Sequence, residues 1–338
     1  MFSINLSRTF DMTADMTATV PSSQNVAGRL ITPLINGILA IQPLANFAKS
    51  RARSMMVDRA ESLGVSWRQS VRELRSRGES LDFSPHWEDE LGAIANPTLD
   101  YPSYYTTSFH AYNEGNLGWT PAMEVEVAAQ AVHARIWPEK GKAGDLALRQ
   151  SYHDVLKARI PEKLGAIADL GCGVGLSTST LQDTFPGAAM TGVDLSPYFL
   201  AVAAYRDRHR AHTDEIRPAT WVHAPAEETG LPAGSFDLVS ACLMFHELPQ
   251  SAAIAILQEA RRLVRPGGYI AIMDMNPGSD VFAKMPPFVF TLLKSTEPYL
   301  DDYLSLDLAS AIQQAGFDLP FVTENSPRHR TLIAKAEA

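Results

Sequence analysis

Residues 167–175 read Ile-Ala-Asp-Leu-Gly-Cys-Gly-Val-Gly, and the fold class follows from what stands on either side of that run. A short apolar segment at 166–170 leads into glycines 171, 173 and 175, and a helical pattern follows at about 177–185. The alternation continues with strands at 188–194, 220–224, 236–243 and 269–274 and helices at 197–212 and 251–264. Ala253, Ile256, Ala260 and Leu263 share one face of the last helix, which Pro266-Gly267-Gly268 stops. Late extended runs at 319–323 and 331–334 are close enough to form a terminal antiparallel hairpin. Short strands alternating with helices predict an α/β, Rossmann-like, seven-stranded and mostly parallel sheet, with helices on both faces.

Glycine at the first turn lets the backbone bend sharply and lets a ligand lie against it without a Cβ clash. Several kinds of nucleotide site use such a turn. The dinucleotide fingerprint calls for one more glycine where Leu176 stands, and it places a diphosphate where Asp169 would repel it. A ligand carrying an ammonium group suits that carboxylate better. Asp194 ends the next strand in Thr-Gly-Val-Asp-Leu-Ser. A carboxylate there accepts from both ribose hydroxyls, in a dinucleotide or an adenosine site alike.

Four features in this order and spacing carry a resemblance: Asp-Leu-Gly-Cys-Gly-Val-Gly at 169–175, Val-Asp-Leu-Ser at 193–196, Ser-Phe-Asp-Leu-Val at 235–239 and Arg-Pro-Gly-Gly at 265–268. Together they resemble the class I S-adenosylmethionine-dependent methyltransferases, in particular the small-molecule branch with ubiquinone/menaquinone methyltransferase-like domains. The resemblance covers about residues 145–338 and implies S-adenosylmethionine as cofactor, with no metal. It implies that Asp169 and the backbone at Gly171, Cys172 and Gly173 hold the methionine end, with Gly175 allowing close approach. Asp194 would take the ribose, Leu195 would pack on adenine, Ala226 would offer its backbone N–H to adenine, and Leu243 would join the cofactor set. The family usually has an aspartate where Pro225 stands, so that adenine contact is open and Glu227 reads as a neighbouring surface acid. Cys172 reads as a small turn residue, not a nucleophile.

Methyl transfer is an in-line displacement on a sulfonium, so the enzyme must align the acceptor and exclude water. A base is needed only when the acceptor has a proton to lose. The segment Leu-Met-Phe-His-Glu-Leu-Pro at 243–249 emerges where the methyl group should sit. His246 is the candidate base, since imidazole titrates near neutrality; the alternative is a loop-packing histidine. Glu247 either pairs with it or begins the next helix. Asp274 and Asn276 close the fifth strand, as substrate ligands or as turn residues before Pro277-Gly278. In this family an insertion such as 281–316, with Phe288, Phe290, Tyr299 and Tyr303, often lines the acceptor pocket.

Ahead of the sheet, the reading is a helical N-terminal extension over 1–144 and a methyltransferase domain over 145–338. Residues 54–96 are amphipathic and helical, broken at Gly64 and Gly78, with Val71 and Leu74 inward and Arg72, Arg75 and Arg77 on a solvated face. Thr120 and Pro121 suit the start of a helix whose apolar face is Val125, Ala129, Val132 and Ile136. Between them, 101–119 reads YPSYYTTSFHAYNEGNLGW. Either it plugs the core or it serves as a lid, with Tyr105, His110 and Tyr112 as acceptor contacts; with the insertion it would form an aromatic chamber for an apolar or aromatic small molecule. Its HAYNEGNLGW part resembles uncharacterised cyanobacterial and plastid methyltransferases.

A net charge of −9 and the lack of an Asn/Asp-Pro-Pro-aromatic run after the fourth strand argue against nucleic acid as substrate. Two cysteines make no disulfide framework and fit a reducing compartment, so the expected location is cytoplasmic, with plastid or peripheral membrane as alternatives. Residues 30–48 carry no charge, and Lys49, Arg51 and Arg53 follow them, which leaves membrane-surface contact through 30–53 open. Oligomeric state is unassigned. Two other functions remain at this point: a nicotinamide-dependent oxidoreductase, and a non-catalytic S-adenosylmethionine-binding regulatory protein.

Overall fold

The structure is a computed structural model that describes residues 53–108, 110, 112–161, 163–210, 213 and 216–337. The uncharged stretch 30–48 lies outside the described residues, and so does the side chain of Phe288. After helical residues 53–62, the N-terminal part contains α1 (Trp67–Ser76), α2 (His86–Ile94) and α3 (Trp119–His133). There follow α4 (Gly144–Arg159), β1 (Ala166–Leu170), α5 (Leu176–Thr184), β2 (Ala189–Asp194), α6 (Pro197–His209) and β3 (Thr220–His223). Next come β4 (Phe236–Cys242), α7 (Gln250–Leu263) and β5 (Val264–Met275). The insertion holds α8 (Asp280–Ala283), α9 (Pro287–Thr296), α10 (Leu300–Ser305) and α11 (Leu308–Gln314), and the chain ends on β6 (Phe321–Ser326) and β7 (His329–Lys335).

The strands form one seven-stranded sheet in the order β3-β2-β1-β4-β5-β7-β6. The first five are parallel, and β7 runs antiparallel to both β5 and β6. β1 alternates its side chains between two cores: Ala168 and Leu170 join the cluster with Ile256, Ala260 and Leu263 of α7, while Ile167 joins Leu148, Tyr152 and Leu156 of α4. The chain leaves β1 toward β2 and β3, then returns to lay β4 and β5 on the other side. Ligands of such sheets bind at that reversal, beyond the carboxyl ends of the strands.

Two of the quoted motifs work at the opposite edge. Asp237 accepts from the N–H groups of Gly165 (2.6 Å) and Ala166 (2.9 Å) and pairs with Arg265. β5 begins at Val264, five residues earlier than the sequence suggests, because Phe236 already pairs with Val264 and an irregularity absorbs Pro266-Gly267 before Leu238 meets Tyr269.

The N-terminal helices share a core with the sheet's own helices. Trp87 of α2, Ala122 and Met123 of α3, Val174 of the glycine turn and Phe199 and Val202 of α6 form one cluster. Three sequence expectations change here, the first being the face of α3: Val132 is exposed and Ile136 lies past the helix, while Ala122, Met123 and Val127 are buried. Arg77 does not face solvent: its guanidinium lies 4.4 Å from the Tyr205 ring centroid and pairs with Glu90, which ties α1 to α6. α3 starts at Trp119 on Gly118, not on Thr120, because Trp119 packs on Tyr198 (5.0 Å) and Trp87 (5.6 Å). Among the described residues no helix is long and apolar enough to cross a membrane.

Candidate active site

The carboxyl ends of β1, β2, β4 and β5 present Asp169, Asp194, the 243–249 turn and Asp274 along one edge. Gly171, Gly173 and Gly175 all adopt positive φ there. At Gly173 (φ 55°) an added Cβ would meet nothing nearer than a Phe199 carbon at 3.9 Å, so the turn leaves room over its backbone. Gly175 is glycine for the opposite reason: Trp221 would stand 2.8 Å from a Cβ. Cys172 is buried with its thiol pushed well up by that burial, which makes it a packing residue of the turn.

Asp169 is fully buried, and its Oδ2 accepts from Ser177 and Thr178 hydroxyls, both at 2.7 Å. Burial raises it to about 6, and its Oδ1 has no hydrogen-bond partner among the described residues. Asp194 Oδ2 accepts from Gly173 N–H (2.8 Å); Oδ1 accepts from Ser196 N–H (2.8 Å) and from the Tyr105 hydroxyl (3.4 Å). Burial raises Asp194 to about 6 as well. Leu195 and Ala226 are buried beside this edge, and Leu243 takes a left-handed φ of 58° where β4 ends. A buried cation, Arg149 of α4, completes the set: its Nη1 lies 3.7 Å from Cys242 Sγ, and its charge acts on Asp169. Asp145 holds it at 3.1 Å. The orphaned Asp169 oxygen, the open backbone at Gly173, the Asp194 carboxylate and the Arg149 guanidinium suit an ammonium, a close-lying chain, a ribose diol and a carboxylate in turn.

Residues from four separate segments meet beyond β4 and β5. His246 Nδ1 lies 2.7 Å from Asp274 Oδ1, and Asp274 Oδ2 accepts from the His246 N–H at 3.2 Å. Burial alone would lower His246, but the Asp274 carboxylate overrides it and raises the imidazole to about 10. The Asp274 carboxylate thus favours the cationic form of His246 over the near-neutral titration expected of a base. Glu247 Oε1 lies 3.9 Å from His246 Nε2 and 3.5 Å from His110 Nε2. Burial pushes Glu247 up to about 7 despite the two histidines. His110 comes from the aromatic loop, at a left-handed φ of 48°, and its Nε2 also meets Glu297 Oε1 at 3.0 Å.

The loop folds over this edge through its tyrosines. Besides Tyr105, Tyr104 donates to Glu227 and stacks edge-on against Tyr299 (6.3 Å), and Tyr101 meets His223 Nε2 at 3.2 Å. Glu227 is thus a loop anchor and not a surface acid. Three expected acceptor contacts are not brought here. Tyr112 turns the other way and donates to Glu124 of α3 at 2.8 Å. Asn276 is a turn residue, donating to Glu324 (2.8 Å) and accepting from Gly278 N–H (3.1 Å). Tyr303 is core, 1% exposed, with its hydroxyl on Met275 O. Arg149 and Glu297 escaped the sequence reading. Arg149 was legible, since Asp145, Leu148, Arg149, Tyr152 and Leu156 share one helix face and a charged pair on an apolar face calls for a reason. Nothing local marks Glu297.

Residues 168–272 match the family described as methyltransferase domain. An uncharacterized methyltransferase of Synechocystis sp. is 31% identical over 151 residues, 45% of this chain and 66% of the relative. The ubiquinone biosynthesis O-methyltransferase of Xanthomonas axonopodis pv. citri is 28% identical over 198 residues, 57% of this chain and 80% of the relative. The Haemonchus contortus phosphoethanolamine N-methyltransferase 2 solved with S-adenosyl-L-methionine aligns with a TM-score of 0.47 at 17% identity, covering 65% of this chain and 60% of that one. The family match spans the glycine turn, Asp194 and the 243–249 segment, which sets the nicotinamide alternative aside: the chain carries a class I S-adenosylmethionine-dependent methyltransferase domain, with S-adenosylmethionine as its cofactor.

Proposed function

We propose that the protein methylates a small-molecule acceptor held beneath the aromatic loop, and that Glu247 takes the proton the acceptor gives up. The observation that carries this reading is the meeting of His110, His246, Glu247 and Glu297 from three segments next to the cofactor edge. S-adenosylmethionine supplies an electrophilic methyl group on a sulfonium and leaves as S-adenosylhomocysteine. Asp194 would hold its ribose, Asp169 and the Gly171–Gly173 backbone its ammonium end, and Arg149 its carboxylate. Tyr104 and Tyr105 cover the edge and limit water.

Glu247 suits the proton role better than His246. A carboxylate titrating at about 7 is half available at neutral pH, whereas an imidazole held at about 10 is already protonated. His246 serves as a fixed cation steadying the ionised form of Glu247, with Asp274 positioning it. An oxygen acceptor fits, and O-methylation is the chemistry named for the Xanthomonas relative. Free, buried Cys172 and Cys242 support a reducing compartment, the cytoplasm first among them. The test is S-adenosylhomocysteine release across a panel of hydroxyl- and amine-bearing metabolites. Cofactor binding with no turnover on any of them would leave a binding protein and sink the proposal.

A further inference from the structure

Glu297 belongs to the α9–α10 insertion, far in sequence from every motif of the methyltransferase core. Its side chain is nonetheless 7% exposed and sits against the groups beyond β4. One oxygen, Oε1, is held by His110 Nε2 at 3.0 Å, while the other, Oε2, is buried and has no hydrogen-bond partner among the described residues. An unmet buried carboxylate oxygen is costly, so it marks a place where a donor belongs. His110 itself is held in a left-handed backbone (φ 48°), with its N–H on Thr296 O at 3.3 Å, one residue before Glu297. The loop and the insertion are therefore fastened to each other at the carboxylate, and the free oxygen is a fixed feature of the closed arrangement.

Resting on the methyltransferase reading above, we infer that Glu297 reads the acceptor: its Oε2 receives an O–H or N–H of the acceptor's polar head, a hydroxyl or an ammonium, and repels a carboxylate. Glu247 stands close by as a second acid facing an anionic head group, while the charge of Asp274 is met by His246. Tyr104 and Tyr299, edge to face, give the remainder of the acceptor an aromatic wall. His110 is a positioning residue in this arrangement, since it acts by holding Glu297.

The S-adenosylhomocysteine-loaded full chain is to be titrated with benzylamine, benzyl alcohol and benzoate by calorimetry, at pH 7.5. The amine and the alcohol are expected to bind at least tenfold more tightly than benzoate. Glu297→Gln keeps the shape and a bond to His110, and should cut the amine-to-benzoate preference about tenfold while S-adenosylhomocysteine affinity and Tm hold. Glu297→Asp should restore part of the preference, which a merely structural role would not do. Equal binding of the three probes, no saturable binding of the amine, or a preference unchanged in Glu297→Gln overturns the inference. A parent chain that fails to bind S-adenosylhomocysteine at all would instead strike at the methyltransferase reading itself.

Discussion

The Tyr105 hydroxyl donates to Asp194 Oδ1 at 3.4 Å, so the aromatic loop is fastened to the carboxylate that ends β2. The same oxygen accepts from Ser196 N–H at 2.8 Å, which makes Tyr105 the weaker partner. A ribose diol at Asp194 competes with that tyrosine. Tyr105→Phe is expected to tighten S-adenosylmethionine about twofold, roughly 0.5 kcal/mol, the low end for a net hydrogen bond. Weaker binding by calorimetry would make Tyr105 a cofactor support.

Asp194→Ala should weaken S-adenosylmethionine by about 1–3 kcal/mol, the scale for bonds to a charged group. Gly173→Val should abolish binding, because its side chain fills the open space over the turn. At a φ of 55° that change also strains the backbone by roughly 1–2 kcal/mol, so a lower Tm should accompany a folded circular-dichroism spectrum. Cofactor binding as tight as the parent's in both variants would misplace the site.

Arg149→Lys keeps a cation beside Asp145 but loses the guanidinium fork. About tenfold weaker binding of S-adenosylmethionine is expected, with 5′-methylthioadenosine, which has no carboxylate, unaffected. Equal losses for both ligands would assign Arg149 to packing alone.

Turnover should rise with pH through about 7 as Glu247 loses its proton, and Glu247→Gln should remove that limb with a 10²–10⁴-fold lower rate. His246→Gln should retain a limb, moved upward because the neighbouring cation is gone. A limb that vanishes in His246→Gln and survives in Glu247→Gln would return the base role to histidine.

Stability carries its own signature. His246 titrates near 6.5 in an unfolded chain and at about 10 beside Asp274, so its contribution is complete below about pH 6.5 and is lost as pH climbs through 10. Denaturant midpoints of the parent and His246→Gln should therefore converge between pH 6.5 and 10. A constant gap across that range would mean the imidazole does not titrate there.

Much of this was legible in sequence because the cues are local. Gly171, Gly173 and Gly175 follow a strand directly, and Asp194 ends the next one, so backbone geometry alone brings them to one edge. The loop was harder. Tyr105 and Tyr112 look alike in an aromatic run, yet one meets Asp194 and the other Glu124, a choice made by packing between segments. The N-terminal extension also packs on the sheet's helices, with the Trp87 ring 4.9 Å from Tyr205 of α6, a contact that no local pattern announces. His246 was found as a residue but not as a charge state, since Asp274, 28 positions on, decides it.

Trp221 lies beneath both Gly175 and Gly192, where a Cβ would come within 2.8 Å and 2.6 Å of its ring. One indole thus presses on both glycines from below, with the left-handed backbone at Gly175 and the Cys172 sulfur beside Gly192 adding to it. Change in this part of the chain is therefore coupled: a side chain at position 175 or 192 requires movement at position 221. A lineage that shrinks the tryptophan first relieves only one constraint at each glycine, since Gly175 still stands at a φ of 80° and a Cβ at Gly192 still meets Cys172 Sγ at 2.9 Å.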